Sequence, residues 1–132
     1  MRKGSKMKSA PRKNKGVIRI LKAFTYSWDG IKNALKNEAA FRQELVLSAV
    51  LIPLALFLDA EISEKLLLIG SVLLLLIVEL LNSAVEECVN LCTDKIHPLA
   101  KRAKDMGSAA VLFAVINLIA VWSAVLWKLF CS

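Results

Sequence analysis

Glu79 and Glu86 stand seven residues apart. At 100° per residue a helix returns them to nearly one face, about 10 Å apart along its axis. Ser83 and Asn90 fall on the same stripe, and Asn82 flanks it. Further along, Lys104, Asp105 and Ser108 form a second polar group; earlier, Asn37, Glu38, Arg42, Gln43 and Glu44 form a third. Two chemistries fit these residue types. Carboxylates and an amide can gather a divalent cation and a phosphate, since magnesium takes hard oxygen ligands, usually one or two carboxylates plus substrate phosphates. Alternatively the charges sit at helix ends, where they snorkel to water and pair, for example Lys104 with Glu86. Glu79 favours the first, because it follows the apolar run 66–78 and could not easily reach water on its own. No G-x-x-x-x-G-K-[ST], G-x-G-x-x-G or H-E-x-x-H signature is present.

These polar groups need elements to hold them, and the chain of 132 residues is 57% hydrophobic with a mean hydropathy of +0.57. A soluble chain this short could not hide so much apolar surface, so lipid must take it up. Apolar positions at Val17, Leu21, Phe24, Trp28, Ile31 and Leu35 step by 4, 3, 4, 3 and 4, one stripe of a helix. With Arg19, Lys22, Asp29, Asn33 and Lys36 opposite, this predicts a surface helix over 17–36 lying in the membrane interface. Three spans follow, over about 41–58, 64–91 and 105–130. Pro53 is tolerated in the first, because lipid-embedded helices accept proline. The stretch 59–65 reads as a short polar turn and 93–104 as a basic loop.

Location explains the net charge of +7. Arg2, Lys3, Lys6, Lys8, Arg12, Lys13 and Lys15 crowd residues 1–15 without an acid, and the rest of the chain is balanced. This predicts a disordered basic tail at 1–15 ahead of a single membrane domain at 16–132. The tail suits anionic lipid headgroups, at roughly 1 kcal/mol per cation near the surface. It is not a basic folded face, so nucleic acid is not an expected partner. By the positive-inside rule the tail and the 93–104 loop are cytoplasmic, and three spans place them on one side. Cys88, Cys92 and Cys131 form no disulfide framework, and Cys88 and Cys92, one helical turn apart, read as packing residues.

Three motifs, NEAAFRQE at 37–44, VELLNSAVEE at 78–87 and RAKDMGSAAVL at 102–112, closely resemble the bacterial integral-membrane diacylglycerol kinases in order and spacing. The match extends from about residue 18, as RILKAFTYSWDGIKNA, to the C-terminus. The resemblance implies an all-α protein of the bacterial inner membrane, a surface helix plus three transmembrane helices in a homotrimeric bundle. It implies a magnesium-dependent transfer of the γ-phosphoryl of ATP to diacylglycerol, giving phosphatidic acid. Carried over by motif, Glu79 is the catalytic base and Asn82 sits beside the reacting phosphoryl. Glu38 and Glu86 hold metal; Arg19, Tyr26, Lys104 and Asp105 contact the nucleotide; Ser27, Arg42, Glu44 and Ser108 meet the lipid.

The chain departs from the family pattern at Asn90, where an aspartate is common. An amide there keeps a ligand oxygen and loses a charge. The nearest alternative is an undecaprenol kinase of the same superfamily, but 104–110 reads KDMGSAA, the diacylglycerol version. A non-catalytic membrane assembly protein or small transporter subunit, with Glu79 and Glu86 paired to cations structurally, is the alternative from a different class.

Overall fold

A computed structural model describes residues 15–132, leaving most of the 1–15 tail outside the described residues. Those residues form four helices and no strand: α1 (Val17–Asn37), α2 (Ala39–Phe57), α3 (Ile62–Cys92) and α4 (Pro98–Cys131). They fall into two compact units, divided after Lys32.

The first unit carries most of α1. Of its apolar stripe Val17, Leu21, Phe24 and Trp28 are exposed and Ile31 is half-buried; Arg19, Tyr26 and Ser27 are exposed too. An amphipathic helix with its apolar stripe uncovered has a membrane interface as its natural surroundings. Asp29 and Lys32 pair at 3.4 Å on its surface.

The second unit holds the last turn of α1 and the three long helices, each long and apolar enough to cross a membrane. The chain is therefore a membrane protein. At 1.5 Å per residue α3 runs about 46 Å and α4 about 51 Å, well beyond a hydrocarbon core of roughly 30 Å. Their ends emerge into the headgroup region, where polar residues can sit.

Helix α3 packs against both α2 and α4. Its buried positions are Leu68, Ser71, Val72, Leu75, Glu79 and Ser83, one stripe at helical spacing. From α2 the buried residues are Phe41, Ser48 and Ala55, seven apart. Lipid tails are as apolar as leucine, so close packing holds these helices together. Small side chains permit it: Ala55, Ala114, Ser48 and Ser71 are all buried. Leu68, Val72, Trp122 and Val125 join Ala55 in an apolar cluster drawing on α2, α3 and α4. It occupies the end of the bundle away from Glu79, where Lys128 of α4 also pairs with Glu61 and Glu64 at the start of α3.

The helix ends are fixed by local chemistry. A capping box starts α3, with the Glu61 N–H donating to Glu64 Oε2 at 3.1 Å. Lys65 donates to the Leu56 carbonyl at 2.9 Å, closing the end of α2. The stretch 93–104, expected to be a loop, becomes helical at Pro98. His97 Nδ1 accepts the Leu99 N–H at 3.1 Å, and Pro98 takes the first helical position, where its missing N–H costs nothing. The loop is thus confined to 93–97, and Lys101, Lys104 and Asp105 stand on the first two turns of α4.

Candidate active site

The stripe that packs α3 at one end of the bundle turns polar at the other. Leu68, Val72 and Leu75 are followed on the same face by Glu79, only 5% exposed, and Ser83. Glu86 continues that face, half-buried. On α2 the seven-residue spacing of Phe41 and Ser48 brings Glu44 to the same inward side, and its carboxyl group lies within hydrogen-bonding reach of Glu79. Glu38, the single residue between α1 and α2, and Glu86 are near enough for their charges to act on Glu79. Four carboxylates from three segments therefore gather at one end of the bundle, spread over about 10 Å along α3.

Little among the described residues neutralises them. Arg42 Nη1 donates to the Leu35 and Lys36 carbonyls at 2.7 and 3.2 Å, closing the end of α1. Lys101 is paired with Asp105 at 2.6 Å, and Lys128 lies at the opposite end. Lys104 is half-buried and makes no ion pair among the described residues, so the Lys104–Glu86 pairing of the structural alternative does not form.

Three buried polar atoms of this region have no hydrogen-bond partner: Glu44 Oε2, Asn82 Oδ1 and Ser83 Oγ. Leaving such an atom unsatisfied costs about 1–3 kcal/mol. Ionised carboxylates only accept hydrogen bonds, so Glu44 and Glu79 satisfy each other only through a shared proton or cation. Carboxylate oxygens are the kind of donor a hard cation takes. Among the described residues no three His, Cys, Asp or Glu side chains are close enough to form a cage by themselves.

Beyond this cluster, where α3 ends and α4 begins, lies an open cleft of about 310 Å³. Asn90, Lys95, His97, Lys101, Lys104 and Asp105 line it. Sequence reasoning placed Lys104 and Asp105 together but missed Lys95, His97 and Lys101. The spacing of Lys101 four residues before Asp105 was the available signal, once the helix is known to start at Pro98. Cations at a helix N-terminus, where backbone N–H groups are also unsatisfied, attract anions. From Glu79 to Asn90 is about 16 Å along α3. Ser108, one turn beyond Lys104, is exposed, as are Arg42 and Asp105. Cys88, Cys92 and Cys131 are free and exposed, so none of them packs in the chain's own core.

A family model described as prokaryotic diacylglycerol kinase matches residues 25–126. The diacylglycerol kinase of Escherichia coli (strain K12) is 49% identical over 115 residues, covering 87% of this chain and 94% of that protein. That of Pseudomonas aeruginosa is 49% identical over 111 residues, covering 84% and 90%. That of Helicobacter pylori (strain 26695) is 43% identical over 120 residues, covering 91% and 94%.

Proposed function

The chain belongs to the prokaryotic diacylglycerol kinase family, and from that premise we propose that it phosphorylates diacylglycerol at the cytoplasmic surface of a bacterial inner membrane. A kinase of this family takes its phosphoryl group from a nucleotide; the donor we assign is ATP with magnesium. The observation that carries the reading is the buried Glu79, facing Glu44 and within range of Glu38 and Glu86 at one end of a membrane bundle.

Phosphoryl transfer asks a protein for positioning and charge neutralisation. Glu79 takes the proton from the lipid hydroxyl as its oxygen attacks the γ-phosphorus. The bridging oxygen departs with its electron pair as ADP, leaving phosphatidic acid. Glu38 and Glu86 would hold magnesium, which when bound neutralises charge on the phosphates. Asn82 stands beside the transferring group, and Lys104 meets phosphate charge from the cleft with no internal ion pair to break. Asp105 contacts the nucleotide from the same turn. Arg19 and Tyr26 are assigned to the nucleotide, and Ser27 to the lipid, on the resemblance of their segment. Arg42, Glu44 and Ser108 are assigned to the lipid headgroup.

The active unit is a homotrimer with each N-terminus cytoplasmic. Support comes from the many apolar side chains exposed on α2–α4 and from the polar α3 stripe, which three helices alone cover incompletely. The test is phosphorylation of diacylglycerol and undecaprenol side by side in detergent micelles with labelled ATP, with and without magnesium. Label is expected in phosphatidic acid only when magnesium is present. Label in the polyprenol alone would replace the substrate, and label in neither would leave a membrane assembly protein.

A further inference from the structure

Glycine in a helix interior is normally a disadvantage, because alanine loses less entropy there. Gly107 lies inside α4 with no positive φ to require it. What it supplies is room. A Cβ built on Gly107 would overlap Asn82 Oδ1, stand 3.4 Å from its Cγ and 3.9 Å from its Cα. The Cγ and Cα distances are ordinary van der Waals contacts, so it is the Asn82 carboxamide, through its Oδ1, that an added side chain would force to move. At Gly70, by contrast, an added Cβ meets nothing within 4 Å.

Asn82 Oδ1 is buried and has no hydrogen-bond partner, so packing is what holds the carboxamide in place. Beside it is a hollow of about 160 Å³ whose other walls are Val78, Leu81, Val85, Gly107 and Ala110. A carboxamide pushed off Gly107 has this apolar hollow to turn into, or must leave the helix interface altogether. Either way its oxygen and nitrogen move.

We propose that Gly107 is a positioning residue: its bare backbone fixes the rotamer of Asn82, and a side chain there would turn the carboxamide out of register with Glu79. This rests on the kinase reading, in which Asn82 attends the transferring phosphoryl group. A displacement of about 1 Å at a reacting centre can cost roughly a hundredfold in rate.

The test is a double-mutant cycle on the full chain in micelles. Gly107→Ala, Asn82→Ala and the double variant are compared by kcat, by KM for both substrates and by thermal unfolding, with Gly70→Ala as the helix-interior control. Gly107→Ala is expected to lower kcat by roughly ten- to a hundredfold with KM for diacylglycerol little changed, and Gly70→Ala to leave both alone. Once Asn82 is alanine, the Gly107 change should cost no further activity, and the drop in unfolding midpoint seen with Gly107→Ala alone should disappear. An unchanged kcat in Gly107→Ala, or an equal further loss in the Asn82→Ala background, overturns the proposal. If Gly107→Ala does not fold, the double variant decides: folding supports the steric coupling, and failure where Asn82→Ala folds overturns it. An unmutated chain that phosphorylates no lipid would defeat the kinase reading, while the unfolding cycle would still judge the contact.

Discussion

Glu79 could have been one more leucine on its helix face, for the residues before it on that stripe are Leu68, Val72 and Leu75. A carboxylate there is costly in a membrane and is normally functional. Glu79→Gln keeps the shape and removes the base, so kcat for lipid phosphorylation is expected to fall by about 10²- to 10⁴-fold, with the oligomer intact by size exclusion. Near-normal turnover would show that Glu79 is not the base. Lys104 carries a different part of the reaction. Lys104→Met should raise the KM for ATP about tenfold, close to 1.4 kcal/mol of binding, and leave KM for diacylglycerol unchanged. A rise in the lipid KM instead would move Lys104 to the other substrate.

At the scale of elements, the start of α4 decides how cations meet the cleft. His97 Nδ1 satisfies the Leu99 N–H, and Lys101 and Lys104 stand within the next two turns. His97→Ala removes that cap at a cost of about 1 kcal/mol. The first turn should fray, read as faster amide exchange at Leu99 and a higher KM for ATP; unchanged exchange would show that Pro98 alone sets the turn. The basic composition of 93–104 concealed this helix start, because hydropathy reports only where lipid lies. Pro98 with His97 before it was the legible cue. The convergence of Glu44 on Glu79 had no such cue: residue spacing gives the inward face of α2 and of α3, but not which levels meet when the two pack.

For the whole molecule, exposed apolar residues on all three long helices need lipid or another copy of the chain. Native mass measurement in micelles is expected to give three chains; a stable active monomer would end the trimer proposal. The basic tail adds a second expectation. Replacing the seven Lys and Arg of 1–15 by Gln should weaken binding of the solubilised chain to vesicles containing anionic lipid, and should matter less as salt rises.

Hydropathy and charge, read along the chain, determine that this protein is a membrane-spanning set of helices with a basic tail. Both follow from the free energy of moving each residue from water to lipid, which depends on residue type and barely on neighbours. The motifs at 37–44, 78–87 and 102–112 likewise identify the family and nominate Glu38, Glu79, Glu86 and Lys104. Tertiary structure alone decided that Glu44 faces Glu79, that Lys104 forms no ion pair with Glu86 among the described residues, and that Gly107 presses on Asn82. Those outcomes depend on where helices cross and how each is rotated, and these are set by side-chain packing between segments tens of residues apart.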